Sequence, residues 1–348
     1  MAKKDIDWSS LGFGYMPTDE RYVSWFKDGK WDDGALTKDP NITMSECACV
    51  LQYAQTVFEG LKAYTTKDGR TVCFRPDMNA KRLAESCRRS QGLTSQYEIP
   101  EVPEEKFIDA VKKVVKANEA YVPPFGSGAT LYLRPFVFGY DSIIGVKPAN
   151  EFQFRIFATP VGPYFKGGAK PITIRVSDVD RAAPHGTGDI KAGLNYAMSL
   201  HNIVDAHNCG FDENMYLDPK TRTKVEETGG ANFIFITKDG KLVTPKSNSI
   251  LPSITRRSLM YVAEHYLNMP VEHREVYYDE LKDFAECGLC GTAAVISPVG
   301  KIVNHDEEIC FPSGMEEMGP YTKKLYETLT GIQMGEIEAP EGWIVEID

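Results

Sequence analysis

Gly186-Thr-Gly-Asp-Ile-Lys191-Ala-Gly-Leu-Asn195-Tyr196 places a lysine among three glycines, with a tyrosine five residues later. A second stretch, Glu227-Thr-Gly-Gly-Ala-Asn232, supplies a carboxylate after the next predicted strand. A lysine in a glycine-rich loop is by itself most often a solvated surface residue. In this sequence, however, the lysine is accompanied by the phenol of Tyr196 and the carboxylate of Glu227. An amine that forms an imine, a donor for a ring hydroxyl and an anion for a ring nitrogen are what pyridoxal phosphate (PLP) chemistry needs.

Six further short motifs stand in order along the chain between residues 53 and 294. They are Tyr53-Ala-Gln-Thr-Val-Phe58-Glu-Gly-Leu-Lys-Ala-Tyr64, Phe74-Arg-Pro-Asp-Met-Asn-Ala-Lys-Arg82-Leu83, Tyr132-Leu-Arg134-Pro, Pro160-Val-Gly-Pro-Tyr164-Phe, Leu251-Pro-Ser-Ile254-Thr255-Arg256 and Gly291-Thr292-Ala293-Ala294. With these segments the chain resembles the branched-chain amino acid aminotransferases of the fold-type IV PLP enzymes. The resemblance implies an α+β protein of two α+β domains, with the cofactor site at their interface.

The sequence predicts where those domains meet. Lys166-Gly-Gly-Ala-Lys-Pro171 is short, rich in glycine and interrupted by proline, which is typical of a linker. We therefore expect a small N-terminal α+β domain over 1–162, an interdomain linker over 163–176 and a large C-terminal PLP-binding domain over 177–348.

Composition narrows the classes of function. The chain has 348 residues, 42% hydrophobic and 25% charged, which is ordinary for a soluble globular protein, and 348 residues suffice for two cores. A net charge of −10 argues against nucleic acid or an anionic membrane surface as partner. No apolar run approaches membrane-spanning length, and the N-terminus shows no secretory signal. The eight cysteines show no framework spacing, so we expect reduced thiols and a cytoplasmic protein, and the six histidines show no metal-ligand spacing.

Hydrophobic periodicity predicts the main elements. Predicted helices cover 77–90, a segment starting at 103, 196–207, 253–267, 279–287 and 321–330. Predicted strands cover 71–74, 130–138, 152–159, 172–176, 214–217, 232–237, 242–244 and 293–297.

The resemblance assigns the central roles in catalysis. It implies that Lys191 binds PLP covalently and acts as the acid and base of the proton shift, that Tyr196 bonds the cofactor's ring oxygen, and that Glu227 keeps the pyridine nitrogen protonated. Glu226 is adjacent and is the alternative carboxylate. Alternation in an extended segment would send the two side chains to opposite sides, and the spacing to Asn232 favours Glu227.

The phosphate group needs donors, and a helix N-terminus can supply them. We expect Pro252 to begin a helix whose free N–H groups fall at Ile254 and Thr255, which is a ready anion site. In the family's pattern, Arg82 and the hydroxyl of Thr292 would complete the phosphate site.

The resemblance also implies a substrate pocket and a homodimer. The pocket would be apolar, with one residue reaching in from the partner subunit, an arginine for the distal carboxylate of glutamate, and backbone N–H groups for the α-carboxylate. The corresponding positions are Tyr53, Phe58, Tyr132, Tyr164, Val146 (from the partner), Arg134, Thr292 and Ala293. Many relatives carry a threonine where this chain has Gly230, and the aromatic residue that closes the pocket could be Phe13, Tyr15 or Met16.

The predicted activity is exchange of amino groups between L-leucine, L-isoleucine or L-valine and 2-oxoglutarate through PLP. A D-amino acid aminotransferase or an aminodeoxychorismate lyase of the same fold is the alternative. From another class, Cys287-Gly-Leu-Cys290 could indicate a thiol-disulfide protein. Such motifs open a helix after a strand, whereas this pair follows the helix predicted over 279–287.

Overall fold

The computed structural model describes residues 3–88, 98–162 and 170–347. The chain forms two compact units. One comprises Met1–Tyr164, Ile190–Gly193 and Ile332–Asp348, and the other comprises Phe165–Asp189 and Leu194–Gly331.

The first unit is a nine-stranded sheet with helices. Its strands are β1 (Arg21–Lys27), β2 (Lys30–Trp31), β3 (Ala35–Thr37), β4 (Thr56–Phe58), β5 (Leu61–Thr65), β6 (Thr71–Phe74), β7 (Thr130–Gly139), β8 (Phe152–Val161) and, from the C-terminus, β17 (Ile344–Glu346). The order is β17-β6-β5-β7-β8-β1-β2, with β3 beside β1 and β4 beside β7, and these neighbours pair in antiparallel fashion. Its helices are α1 (Cys49–Tyr53), α2 (Pro76–Arg88) and α3 (Glu104–Ala117), followed by a 3-10 turn at Glu119–Tyr121.

The apolar stripe of α3 shows how this unit forms its core. Phe107, Val111, Val114 and Val115 recur at helical spacing and are all buried. The Phe107 ring stacks on Phe154 of β8 with centroids 6.1 Å apart. One face of the sheet is therefore packed under the helices, which leaves the other face for the side chains described below.

The second unit is built on an eight-stranded sheet. Its strands are β9 (Ile172–Val176), β10 (Glu213–Met215), β11 (Asn232–Thr237), β12 (Leu242–Pro245), β13 (Val271–Arg274), β14 (Phe284–Gly291), β15 (Val295–Asn304) and β16 (Glu307–Cys310), in the order β10-β9-β15-β14-β11-β12-β13 with β16 beside β15. Pairs β9–β10, β9–β15 and β12–β13 are parallel and the others antiparallel. The later helices are α4 (Gly193–Asn208), α5 (Ile254–Tyr266) and α6 (Pro320–Gln333), with a 3-10 segment at Tyr278–Asp283. Stacked rings of Phe233, Phe235 and Phe284 mark the core.

Most predicted elements are confirmed within a few residues. The helix predicted over 77–90 is Pro76–Arg88, with residues 89 and 90 outside the described part of the chain. The strand predicted over 71–74 is β6, and it pairs with β5 in antiparallel fashion. The helix predicted from Ser253 begins at Ile254, because Ser253 is its N-cap.

The helix predicted over 279–287 is wrong. Asp279 and Glu280 do belong to a helical segment, but it is a 3-10 helix that ends at Asp283, and Phe284–Gly291 is a strand. This strand lies between β11 and β15 and is almost entirely buried. The pairing and burial outweigh the helix-start signal, and the glycines at 288 and 291 are poor helix formers. Cys287 and Cys290 therefore lie on a strand, both buried and free.

The boundaries of the two units do not follow the order of the chain. The segment Ile190–Gly193 and the last 17 residues, Ile332–Asp348, belong to the unit formed mainly by the N-terminal half. The expected separation into domains 1–162 and 177–348 stays a prediction. Residues 163–169, with most of the predicted glycine-rich linker and Tyr164, lie outside the described residues.

The described residues include no candidate membrane span and no candidate metal site. No helix among them is long and apolar enough to cross a membrane. Likewise, they include no group of three or more histidine, cysteine, aspartate or glutamate side chains placed to hold a metal ion.

Candidate active site

The backbone of Lys191 is fixed by the first unit. Its N–H donates to the hydroxyl of Ser86 on α2 (3.0 Å), and its carbonyl accepts from the N–H of Phe58 on β4 (3.0 Å). The next residue, Ala192, forms an isolated β-bridge with Val57. The predicted catalytic lysine thus lies beside β4, although the flanking glycines suggested a free loop.

An aromatic and cationic cluster surrounds the side chain of Lys191. The Nζ atom lies 4.8 Å from the centroid of the Phe58 ring, and the Arg134 guanidinium carbon lies 4.7 Å from the same centroid. Arg134 also donates from Nη2 to the Tyr132 hydroxyl at 3.1 Å. The register explains this grouping: Phe58 opposes Phe136, which shares a face of β7 with Tyr132 and Arg134.

Gly60 makes room for this cluster. A Cβ atom at Gly60 would overlap the Tyr132 hydroxyl, so only glycine lets that ring occupy the space. The Arg134 Nε is buried and has no hydrogen-bond partner among the described residues. Such an atom is consistent with a ligand group that supplies the missing acceptor.

Lys62 is a residue on this face that the sequence analysis did not single out. It opposes Tyr132 in the β5–β7 pairing, so the two side chains share a face. Burial lowers the pKa of Lys62 to about 8. In the sequence, this residue could have been found as a lysine within a largely apolar strand.

Arg82 lies in a buried ion pair. It donates from Nε and Nη2 to the two carboxylate oxygens of Glu59, at 2.7 and 2.8 Å, and Asn79 Nδ2 donates to the same carboxylate at 2.7 Å. The Glu59 side chain is 0% exposed and that of Arg82 5%. Glu59 is thus a partner of the predicted phosphate residue that the sequence analysis missed.

Two other predicted substrate residues lie at the edge of this unit. The Tyr53 hydroxyl donates to the Ile144 carbonyl, and Val146, in the same loop as Ile144, is 89% exposed. Of the three candidates for closing the pocket, Phe13 packs edge-to-face on Tyr132 at 5.3 Å, and Tyr15 packs on Phe157.

Glu227 is the central residue of the second unit. Oε1 lies 2.8 Å from Arg181 Nη2 and accepts the N–H of Leu251 at 3.0 Å. Oε2 accepts from Asn232 Nδ2 at 2.7 Å. Burial raises the pKa of Glu227 to about 7, and the Arg181 guanidinium opposes part of that rise.

Glu226 faces other partners. Its carboxylate accepts from the Ser247 hydroxyl at 2.9 Å and from the Ser249 hydroxyl. Burial also raises its pKa. The adjacent carboxylates thus make separate sets of contacts, as the alternation of an extended segment predicts.

The N-terminus of α5 carries the predicted phosphate donors. Ser253 is the N-cap and accepts from the N–H of Arg256 at 3.1 Å through its hydroxyl. Ile254 and Thr255 are the first two residues of the helix, whose N–H groups have no acceptor within an α-helix. The helix end therefore presents backbone N–H donors at the predicted residues.

Thr292 and Ala293 lie in a hairpin loop. They connect β14 to β15, and both are half-buried. Val295, which opposes Gly291 at the base of the loop, has a φ of 62°. A β-branched residue with positive φ is strained, and strain of this kind concentrates at functional sites.

Tyr196 lies in the first turn of α4 and is half-buried. One residue earlier, Asn195 is held by two hydrogen bonds with Thr187, one to its carbonyl (2.7 Å) and one from its hydroxyl (2.8 Å). These bonds join two residues that flank Lys191 in the sequence. The structure therefore places the predicted residues in two groups, one in each unit, and Tyr164 lies outside the described residues.

Comparisons with known proteins agree on one family. Residues 56–302 match the model of the family described as "Amino-transferase class IV". The chain is 51% identical to a branched-chain-amino-acid aminotransferase of Haemophilus influenzae, over 99% of this chain and 100% of the relative. It is 47% identical to the enzyme of that name from Helicobacter pylori, over 99% and 98%.

Solved structures agree as well. The branched-chain amino acid aminotransferase of Escherichia coli matches with a TM-score of 0.77 at 26% identity, over 95% of this chain and 100% of that one. The Thermoproteus uzoniensis enzyme, solved with norvaline, matches with a TM-score of 0.75 at 26% identity, over 94% and 100%. The Thermobaculum terrenum enzyme in its PLP form shows the same fold, with a TM-score of 0.76 at 23% identity, over 95% and 99%.

Proposed function

The chain belongs to the amino-transferase class IV family, and from that membership we propose that it exchanges amino groups between branched-chain L-amino acids and 2-oxoglutarate with PLP as cofactor. The products are branched-chain 2-oxo acids and L-glutamate. The Haemophilus influenzae and Helicobacter pylori relatives, matched over 100% and 98% of their lengths, bear the name of this activity, and the fold of the chain is that of solved enzymes of the same name.

The observation that carries the proposal is the environment of Glu227. An ionised carboxylate has about four acceptor positions. The Leu251 N–H occupies one on Oε1 and Asn232 Nδ2 occupies one on Oε2, while Arg181 Nη2 forms an ion pair with Oε1. One acceptor position on Oε2 is left, and a pyridinium N–H would fit it. PLP also requires donors for its phosphate and an amine for its aldehyde. The N–H groups of Ile254 and Thr255 would supply the donors, and Lys191 would supply the amine.

When bound, PLP supplies an electron sink for the substrate's α-carbon. Lys191, whose Nζ lies 4.8 Å from the Phe58 ring centroid, would hold the cofactor covalently and would move the proton of the transfer. Glu227 would hold the proton on the ring nitrogen, and Tyr196 would donate to the ring oxygen. The phosphate would be held by Ile254, Thr255, Arg82 and Thr292.

The substrate residues divide into apolar and charged groups. Phe58, Tyr132, Tyr53 and Tyr164 would contact a branched aliphatic side chain. Arg134 would bind the distal carboxylate of glutamate through its guanidinium, whose Nε is buried without a partner among the described residues. The α-carboxylate would bind the N–H groups of Thr292 and Ala293.

A half-reaction assay tests the activity. Purified protein loaded with PLP is mixed with each L- and D-amino acid while the visible absorbance of the cofactor is followed. Loss of the band with L-leucine, L-isoleucine and L-valine, and its return with 2-oxoglutarate, is the expected result. Loss with D-amino acids only, or formation of pyruvate from aminodeoxychorismate, would replace the proposal with another activity of the family.

Lys191→Ala tests the covalent site. The variant should fold, bind PLP weakly without a covalent link and lack transamination. Borohydride reduction of the wild type followed by peptide mapping should place the cofactor on Lys191. Finding it on Lys170 or Lys224 would contradict the assignment.

We also propose that the enzyme is a homodimer of the cytoplasm. Large apolar side chains of the first unit face solvent in the single chain, with Leu51 59%, Ile144 81% and Val146 89% exposed. A second copy would cover them, with Val146 reaching the partner's pocket. All eight cysteines are free, as is usual in a reducing compartment. Light scattering and cell fractionation test the two statements.

A further inference from the structure

Arg181 is a buried arginine to which no role in the reaction has been assigned so far. It is 6% exposed and follows β9 in the chain. Its Nη2 lies 2.8 Å from Glu227 Oε1, donates to the Gly188 carbonyl at 3.1 Å and also donates to the Ser249 carbonyl. One nitrogen thus contacts three chain positions.

Those three positions are all close in sequence to predicted cofactor residues. Gly188 is three residues before Lys191, Ser249 is five residues before Ile254, and Glu227 is the predicted partner of the ring nitrogen. Gly188 has no space for a side chain, since a Cβ atom there would overlap the Ser249 carbonyl and approach Arg181 Nη2 to 2.7 Å. The backbone is therefore closely packed around this guanidinium.

The positive charge of Arg181 affects the protonation state of Glu227. Both side chains are almost fully buried, at 5% and 6% exposure. Removing a carboxylate from water favours its neutral form, and a guanidinium in contact favours the ionised form. A protonated carboxyl would lose the negative charge that keeps a pyridinium protonated.

The other charged groups near Glu227 cannot replace Arg181. Arg256 of α5 acts on Glu227 only over a distance, and its Nη1 donates to the Pro245 carbonyl at 3.0 Å. Glu226 is an acid and acts in the opposite direction. Cys290 of β14 opposes Asn232, and burial raises the pKa of its thiol to about 12, so it is neutral near pH 7.

We propose that Arg181 is a positioning residue for amino transfer: its guanidinium keeps the Glu227 carboxylate ionised and oriented, so that the open position on Oε2 meets the ring N–H of the cofactor. The proposal rests on the proposed function, because it assumes that Glu227 binds the ring nitrogen. It assigns Arg181 no contact with substrate or cofactor.

The experiment uses holoenzyme loaded with PLP labelled with ¹⁵N at the ring nitrogen. The ¹⁵N chemical shift distinguishes pyridinium from neutral pyridine and does not depend on turnover. Arg181→Met removes the charge and the donors. Arg181→Gln keeps donors for the carbonyls without the charge, and Arg181→Lys keeps the charge. Arg175→Met is the matched control, because it removes a part-buried arginine of the same unit that binds Asn214 and Asp205.

The expected result separates charge from packing. Near pH 7.5 the wild type, Arg181→Lys and Arg175→Met should show the pyridinium signal, whereas Arg181→Met and Arg181→Gln should shift towards neutral pyridine. In the last two variants kcat should fall about 10²-fold, with a smaller change in KM. Their pyridinium signal should not return on raising the pH, since a higher pH removes the ring proton while ionising Glu227.

Two outcomes would overturn the idea. A full pyridinium signal in both Arg181→Met and Arg181→Gln would mean that Glu227 is ionised without Arg181. Loss of the signal in Arg181→Lys as well as in Arg175→Met would mean that packing alone is responsible. If Arg181→Met does not fold, Arg181→Gln and Arg181→Lys decide the question. A wild type that binds no PLP would refute the proposed function instead.

Discussion

Glu59→Gln tests how far the first unit depends on its buried ion pair. The substitution keeps the size of the side chain and removes its charge, so that Arg82, 5% exposed, loses its ionic partner. Breaking a buried pair by neutralising one member costs about 3–5 kcal/mol, because the remaining charge is left without compensation. The two hydrogen bonds of 2.7 and 2.8 Å, with Asn79 as a third donor, place this pair among those with good geometry.

Urea unfolding followed by tryptophan fluorescence measures this cost selectively. All four tryptophans, at positions 8, 25, 31 and 343, belong to the first unit. With a slope of about 3 kcal/mol per molar urea, the expected loss lowers the midpoint by roughly 1 M or more. The cofactor-free protein is used, since PLP would add its own binding energy to the folded state.

Two further variants make the result specific. Asp109→Asn removes one member of an exposed i,i+4 pair with Lys113 and should leave the midpoint unchanged. Combining Glu59→Leu with Arg82→Met leaves no buried charge and should recover much of the loss. A Glu59→Gln midpoint indistinguishable from that of Asp109→Asn would refute the reasoning.

Four other predictions concern the second unit. Glu227→Gln should keep the covalent link to PLP but slow proton abstraction about 10²-fold or more, whereas Glu226→Gln should do little; equal damage in single-turnover kinetics would reverse the assignment. Because burial raises the pKa of Glu227 to about 7, the protein should bind PLP more weakly as the pH falls below 7, and Glu227→Gln should abolish that dependence in a fluorescence titration. Gly188→Ala should lower thermal stability and PLP affinity through overlap with backbone, while Gly230→Ala, whose Cβ would meet nothing within 4 Å, should not. Activity should be insensitive to mild peroxide, because the two cysteines of β14 are buried and burial raises their thiol pKa values; a reversible loss with dithiothreitol rescue would contradict this.

Local pattern was enough to predict most of the fold. The helix predicted over 196–207 spans Gly193–Asn208, and the one over 321–330 spans Pro320–Gln333, because amphipathic spacing is a property of the segment itself. Strand β14 was mistaken for a helix because the features that determine it are its neighbours β11 and β15. The residues of Phe284–Gly291 do not by themselves identify those neighbouring strands.

The same distinction applies to the candidate site. Lys191, Tyr196 and Glu227 stand in short motifs with a recognisable spacing, so the sequence alone points to them. Glu59 and Arg181 lie 23 and 46 residues from their ionic partners Arg82 and Glu227, and no fixed spacing links such pairs. A charged residue between two buried apolar strands, such as Glu59, does predict that a partner exists, but only the fold identifies it.

The pairing of β17 with β6 has a consequence for how the protein is made. The sheet of the first unit includes Ile344–Glu346, so it stays incomplete until the ribosome has added these residues. From residue 164 to residue 348 the ribosome adds 184 residues, which takes roughly 10 to 40 s at about 5–20 residues per second. During that time β6 is an open sheet edge, which other chains can pair with. By covering β6, strand β17 therefore protects the sheet against such pairing, and a chain ending before Ile344 would lose this protection.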